Sequence, residues 1–440
     1  MTMSNDISGL AASHAPTPLP VDTARALIRA AIEPVSTIER VALRAALGRV
    51  LAENIVSPID VPAHDNAAMD GYAFDGAAIT ALAAASGSAR DAAVLTLAVA
   101  GEARAGHPFA QPCRAGQCVR IMTGAPMPAG CDTVVPQELV NRIGENVTFD
   151  RRQIVRGANC RRAGEDLARG CAALKAGRIV RAADLGLLAS LGIAEVAVRR
   201  RVRVAFFSTG DELRSVGEPL EAGCVYDSNR YTLYSMLARM GVEALDLGVV
   251  RDEPGALEAA LREAAGSADV VLTSGGVSVG DADFTARMTA TFGDVAFWQL
   301  AMRPGRPLAF GRLWQGERGS NPGSALFFGL PGNPVAVMVT FYQFVREALF
   351  AISGAEAAAP LQFAAEISAP IKKRPGRTEF LRGIATRGPT GQWSVAATRA
   401  QGSGVLSSMS EANCFIVLAH DQGDVRAGAS VEIMPFDGLI

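Results

Sequence analysis

Histidine is scarce here, with four copies in 440 residues. Only His64 lies in a distinctive local context, so neither a His-ligated metal nor Cys/His nucleophilic chemistry is favoured. Seven cysteines stand at 113, 118, 131, 160, 171, 224 and 414 with no CxxC pair. An odd, dispersed set reads as reduced thiols and excludes a disulfide framework or a zinc knuckle. Excess charge is lacking too: 42 basic residues face 44 acidic ones, a net charge of −2. No global field therefore favours nucleic acid or an acidic membrane surface. The opening MTMSNDISGLAASHAPTPLP lacks the basic start and apolar block of a secretion signal and reads as a disordered tail over 1–20. No apolar run approaches the ~18 residues that span a bilayer. The expectation is a cytoplasmic chain with no nucleic-acid or membrane partner.

What the chain does have is core-forming material and turns. Hydrophobic residues make up 49% and there are 45 glycines. At about 150 residues per domain, the length suggests roughly three domains. VDTARALIRAAI repeats its apolar residues at helical spacing behind Asp22, and ERVALRAAL reads as a second helix stopped by Gly48. Short β-rich runs follow (VLTLAVA, QCVRIMTG, DTVVP, NVTF), separated by turns such as APMPAG. A helical pattern resumes at AADLGLLASLG and closes on the strand-like EVAVR. This pattern predicts a helical N-terminal domain, 21–56 and 167–200, split by an inserted β domain over 57–166.

From Arg201 the period changes. RVRVAFFSTG, VEALDLGVV and ADVVLT read as strands alternating with the helices SNRYTLYSMLARMG, PGALEAALREAAG and DFTARMTATFG. Two further apolar runs, DVAFWQL and RPLAFGRL, precede ALFFGLPGNPVAVMVTFYQFVREAL, a strand–turn–helix with Asn333 at the N-cap and Pro334 at the first helical position. The alternation predicts a parallel, doubly wound α/β domain over 201–354, whose ligands sit at the carboxyl ends of the strands. After the Ala-rich ISGAEAAAP, a C-terminal β domain is expected over 355–440. The fold class is thus multidomain α/β.

Three turns follow strands of that sheet. TSGGVSVGDADF (273–284) combines glycines, which let the backbone approach a ligand, with Asp281 and Asp283, which would repel a bare phosphate unless a divalent cation such as Mg²⁺ intervened. Taken alone, an anion-and-metal loop and a helix-capping turn are equally good readings. FSTGDEL adds Asp211 and Glu212 at a second strand end, and GVVRDEP adds Asp252 and Glu253 at a third. Carboxylates converging on one rim favour a metal-assisted phosphate site. AMRPGRP, with Arg303 and Arg306 around a Pro-Gly turn, reads by itself as a solvated basic loop; beside the acidic rim its forked donors make it an oxyanion-pocket candidate. SPIDVPAHDNAAMDGYAF, with Asp65, Asn66 and Asp70, and RIMTGAPMPAGCDTVVPQE, with Thr123, read equally as ordered, self-capped loops.

Taken together, DNAAMDGYAF, RIMTGAPMPAGCDTVV, RRAGEDLARG, FSTGDEL, VVRDEP, TSGGVSVGDADF, AMRPGRPLAFG, GLPGNPVAVMVTF and GRTEFLRG resemble the molybdopterin molybdenumtransferase family. That family comprises bacterial MoeA-type proteins, their plant counterpart and the E domain of gephyrin. The likeness runs from about Val21 to the C-terminus. It implies an elongated homodimer, a C-terminal β-barrel-like domain, and insertion of molybdate into adenylylated molybdopterin with release of AMP, giving molybdenum cofactor. By the same resemblance Glu212, Asp252 and Asp283 serve Mg²⁺ and phosphate chemistry, and Asp70, Thr123 and Asp166 match residues linked to activity. Asp70 and Thr123 would act across the dimer. Substrate contacts fall on Thr273, Ser274, Gly275, Gly276, Ser278 and Gly280, and on Pro331, Gly332 and Asn333. Arg303, Arg306, Arg382 and Ser408 become the molybdate candidates, the last two through GRTEFLRG and GSGVLSSMSEAN. Some relatives carry lysine where this chain has Gln299, Arg303 and Arg306, which leaves Gln299 as a neutral contact. An adenylyltransferase as supplier of the substrate and molybdoenzymes as recipients of the product are the implied partners. Two other classes remain: the adenylyltransferase itself, whose single-domain members share the doubly wound unit, and a scaffold, as in receptor clustering by gephyrin.

Overall fold

The computed structural model describes residues 18–81, 93–276, 292–315, 323–356 and 359–439. All but the last two residues of the expected helix DFTARMTATFG, most of the glycine turn (Ser278, Gly280, Asp281 and Asp283 included) and most of the N-terminal tail lie outside the described residues.

The strand-and-helix alternation after Arg201 builds a six-stranded sheet in the order Glu243–Val250, Arg203–Thr209, Val270–Ser274, Ser324–Leu330, Pro307–Trp314, Gly293–Gln299. The first four strands are parallel. The Pro307–Trp314 strand runs antiparallel to both of its neighbours, so the last two pairings correct the all-parallel expectation. The cause is loop length: LAMRPGR between the Gly293–Gln299 and Pro307–Trp314 strands is too short for a crossover, so the chain turns back on itself. Alternate residues of each strand feed opposite faces. Phe206, Leu272 and Phe328 pack one side with the helices Ser228–Arg239 and Pro334–Thr340, while Phe207, Val271 and Phe327 pack the other against Pro254–Ser267. The chain runs from the Arg203–Thr209 strand outward to one neighbour and then back to the other, so a topological switch point lies at its carboxyl end.

The helix that opens at Pro334 continues through a π-helical turn, Phe341–Val345, to Ile352. Its 19 residues are apolar and long enough to cross a membrane, a feature that the reading of apolar runs passed over. Here 72% of its apolar window is buried inside the protein, so it serves as a core helix. The N-terminal helix, Val21–Ala30, lies against this core through Val21, Ala24 and Ile28 instead of joining the small domain that follows it. Leu19, expected within the tail, pairs with the sheet edge: its N–H donates to the Gln299 carbonyl at 2.7 Å.

ERVALRAAL departs from the helix expected of it. Ile38–Ala42 is a strand paired antiparallel with Glu195–Arg199, and only Leu43–Ala46 makes a 3₁₀ turn. Val41 and Val196, paired in that register, explain why the ladder prevails over local helix propensity: β-branched residues fit a pleated pair well. The N-terminal domain is therefore as much strand as helix. Its core gathers Leu51, Leu174, Val180, Leu188 and Val198 from both sides of the insertion.

The inserted domain is a six-stranded sheet, centred on Gln117–Ile121 between Gly71–Phe74 and Val94–Ala103. At the C-terminus five strands (Phe363–Ile367, Thr378–Arg387, Trp393–Ala397, Cys414–Leu418, Ser430–Pro435) close into a barrel. Met302–Arg303 adds to it in parallel, so the basic turn of the α/β domain is stitched to barrel residues Thr378 and Glu379.

Candidate active site

At the carboxyl rim of the sheet lies a cleft of about 680 Å³. Four strand ends and two barrel loops line it. Thr209, Gly210 and Glu212 follow one strand, Asp252 the next, Gly275 and Gly276 the third, and Pro331, Gly332 and Asn333 the fourth. The Met302–Pro307 turn, with Arg303 and Arg306, faces them, and the barrel adds Arg377 and Gln401–Ser403. Sequence neighbours far apart in the chain thus meet where the topology predicts a ligand.

Backbone geometry explains the glycines. Gly275 has φ +95°, and a Cβ there would collide with the carbonyl oxygen of Thr209, so only glycine lets the two strand ends approach this closely. Gly305 has φ +92° and would place a Cβ 2.6 Å from Thr340 Cγ2, which fixes the basic turn against the core helix. Asn229 ties two cleft turns together, its Nδ2 donating to Ser274 Oγ at 2.8 Å and to the Gly332 carbonyl at 2.7 Å.

On the acidic side, the Thr209 hydroxyl donates to Asp252 Oδ1, and the Asp252 N–H donates to Asp211 Oδ1 at 3.3 Å. Glu212 folds its carboxylate over Gly210, where any side chain would strike it. Among the described residues no cluster of three metal-ligating side chains occurs. Two carboxylates nevertheless fit a magnesium ion, which keeps several waters and takes its remaining ligands from substrate phosphates. Asp283, the third carboxylate expected here, lies outside the described residues.

On the basic side, Arg303 and Arg306 are exposed to the cleft. Arg382 and Ser408 lie behind this wall. Arg382 is fully buried, with Nε donating to Ser408 Oγ at 3.1 Å and Nη2 to the carbonyls of Ala400 and Gly402 at 3.2 and 3.0 Å. It therefore braces the loop whose residues 401–403 face the cleft. Burial, together with the nearby Arg303 charge, brings its pKa down to about 10, the behaviour of a buried cation with no described carboxylate partner. Thr273 and Ser274 are buried within the strand, and Gln299 is exposed at the sheet edge; none of the three lines the cleft.

Asp70, Thr123 and Asp166 gather elsewhere, on the inserted domain. Thr123 donates its N–H and hydroxyl to Asp70 Oδ1, holding the carboxyl below its ordinary value, the backbone bond being the larger cause. Arg162 Nη1 and the Ala163 N–H bind Asp65 at 2.7 and 2.8 Å, and the Asp166 N–H donates to the Val61 carbonyl at 3.0 Å. Met127 N–H donates to the Asp65 carbonyl at 2.9 Å. Three motifs distant in sequence thus form one loop cluster, with an exposed Asp166 and none of its members in the cleft wall.

Arg377 and Gln401–Ser403 were not singled out from sequence. Arg377 is the second residue of GRTEFLRG, and Gly402 and Ser403 open GSGVLSSMSEAN, but nothing in the spacing says which members of a motif face outward.

Family models match almost the whole chain: the MoeA N-terminal region (domains I and II) over 19–192, a probable molybdopterin binding domain over 205–351, and the MoeA C-terminal region (domain IV) over 364–436. A molybdopterin molybdenumtransferase of Haemophilus influenzae is 41% identical over 424 residues, 96% of this chain and 100% of that protein. The chain belongs to the MoeA family of molybdopterin molybdenumtransferases. Another member, from a Nostoc species, is 37% identical and covers 78% of this chain and 76% of its own. The crystal structure of the molybdopterin biosynthesis MoeA protein from Pyrococcus horikoshii superposes with a TM-score of 0.79 at 29% identity, covering 96% of this chain and 100% of that one. The MoeA fold accounts for the multidomain order, with its α/β centre and C-terminal barrel.

Proposed function

We propose that this cleft inserts molybdate into adenylylated molybdopterin and releases AMP, the work of a transferase in molybdenum cofactor biosynthesis. The observation that carries the reading is the convergence of two carboxylates, three glycine-bearing strand ends and an arginine wall in one cleft at the switch point. In this reading Gly275, Gly276 and Gly332 let the nucleotide-activated pterin lie against the backbone. Asn333 borders them at the start of the core helix. Arg303 and Arg306 hold the oxyanion by charge-assisted, forked hydrogen bonds. Arg382 and Ser408 act behind them by fixing the 400–402 loop.

Glu212 and Asp252, with Asp283, are the residues that would hold Mg²⁺. The ion would supply charge neutralisation at the phosphates. Thr209 orients Asp252 for that task. Asp70 and Thr123 complete the site from the inserted domain of a second subunit, which makes the active form a homodimer. Asp166 belongs to the same loop cluster. The working place is the cytoplasm, between an adenylyltransferase that makes the substrate and the molybdoenzymes that take the product.

The decisive experiment gives purified protein adenylylated molybdopterin and Mg²⁺, with and without molybdate. Molybdate-dependent AMP release with cofactor formation is the expected result. Pterin binding without turnover, in the presence of a control enzyme that turns over, would replace this reading with a carrier or scaffold.

A further inference from the structure

The arginine wall has a member outside the motif pattern that first drew attention to it. Arg377 lines the cleft beside Arg303 and Arg306, at the mouth of the barrel strand Thr378–Arg387. Its Nε donates to Glu379 Oε1 at 2.8 Å, and the other oxygen of Glu379 lies 4.0 Å from Arg303 Nη1. The Glu379 side chain is 2% exposed, whereas those of Arg377 and Arg303 are 39% and 52% exposed. Backbone register fixes the arrangement: Arg303 pairs with Glu379, and the Thr378 N–H donates to the Ala301 carbonyl at 2.8 Å.

A buried carboxylate is costly unless both oxygens meet cations, and here one lies between two guanidinium groups. The buried Lys373 is engaged elsewhere, its Nζ donating to the carbonyls of Gln422 and His420 at 2.8 and 3.3 Å. Glu379 engages Arg377 through Nε only. Among the described residues no hydrogen bond engages the terminal NH₂ groups of Arg377, which leaves the fork that suits a tetrahedral oxyanion. On this wall Glu379 offsets one of the charges of Arg303, Arg306 and Arg377, and the two that remain complement a dianion, with Glu212 and Asp252 on the facing side of the cleft.

We infer that Arg377 is a further molybdate-contacting residue and that Glu379 is the positioning residue that holds Arg377 and Arg303 at one spacing on the cleft wall. The inference rests on the proposed reading of that wall as the molybdate site. It assigns the barrel a direct share in oxyanion binding and makes Glu379 act only through its two arginines.

Equilibrium dialysis of molybdate against the full chain without pterin tests this apart from turnover. Arg377→Ala is expected to weaken molybdate binding about tenfold or more, as loss of a charge-assisted contact does. Glu379→Gln is expected to weaken it similarly. In cofactor formation at saturating pterin, Glu379→Gln should raise the molybdate KM while kcat and the pterin KM stay within about twofold of wild type. Arg377→Ala that binds molybdate as wild type does overturns the contact. Glu379→Gln that lowers kcat and thermal stability with an unchanged molybdate KM shows a merely structural carboxylate and overturns the positioning role. If Glu379→Gln fails to fold, the double variant of Arg303→Ala and Arg377→Ala decides: a shared carboxylate predicts coupled losses, and simple additivity overturns it. Wild type that binds no molybdate also overturns the inference, whereas the transferase reading stands as long as AMP release with cofactor formation depends on molybdate.

Discussion

Thr123 gives both its backbone N–H and its hydroxyl to a single oxygen of Asp70, each at 2.7 Å. These bonds stabilise the ionised carboxylate and depress its pKa from the ordinary 3.8, the backbone bond first and the hydroxyl second. Thr123→Val removes the hydroxyl and keeps the N–H. The expected outcome is a partial rise of the Asp70 pKa toward its ordinary value, read by carbon NMR of the side-chain carboxyl. A pKa identical to wild type would mean that the hydroxyl does not hold the carboxylate in solution.

If Asp70 completes the cleft of a second subunit, two inactive variants should rescue each other. Asp70→Asn and Asp252→Asn homodimers are each expected to lose cofactor formation. After subunit exchange in an equal mixture, half of the dimers carry one intact site of two, so about a quarter of wild-type activity should return. No recovery, with exchange verified by mass spectrometry of differently tagged chains, would place Asp70 and Asp252 in the same subunit's site or remove Asp70 from catalysis.

Thr209 offers a test of the metal reading that leaves the carboxylates in place. Its hydroxyl donates to Asp252 Oδ1. Partners of this kind orient a ligating carboxylate, and losing one commonly costs about 10- to 100-fold in metal affinity. Thr209→Val should therefore raise the Mg²⁺ concentration needed for half-maximal AMP release by about tenfold or more, with activity regained at high Mg²⁺. An unchanged Mg²⁺ dependence would sink the assignment of Asp252 as a ligand.

How far the sequence could be read differs between levels. The strand–helix alternation after Arg201 fixed the α/β domain well, because each buried strand is a compact apolar run and each helix carries its own cap or stop, such as Asp227 and Pro254. ERVALRAAL failed because its apolar spacing suits a helix, while its partner strand, Glu195–Arg199, lies some 150 residues away. The reversed Pro307–Trp314 strand follows from connection length, which apolar runs alone do not convey. At the rim, residue types in the turns that follow strands point to Glu212, Asp252, Arg303 and Arg306, all of which line one cleft. Arg382 and Arg377 occupy one short motif, yet one is fully buried and the other faces the cleft. Alternation along a strand predicts two opposite faces but gives no sign of which one looks onto the neighbouring domain.

The last prediction concerns stability and needs no substrate. Asp269, just before the central Val270–Ser274 strand, receives Arg200 Nη1 and Nη2 at 2.9 Å each and the Arg203 N–H at 2.8 Å. Burial by itself would raise its pKa, but Arg200 and the Arg203 N–H outweigh that effect and hold it below 3.8. A depressed carboxylate contributes stability that is present above the unfolded-state pKa and is lost as pH falls through the lower folded-state value. Asp269→Asn removes the charge and leaves Arg200 without its carboxylate, so stability at neutral pH should drop by about 2–3 kcal/mol. Between neutrality and pH 3 the wild type should therefore lose more stability than the variant, and the gap between them should narrow. Urea unfolding at several pH values measures both curves. A gap that stays constant down to pH 3 would show that this carboxylate is not a source of the protein's acid sensitivity.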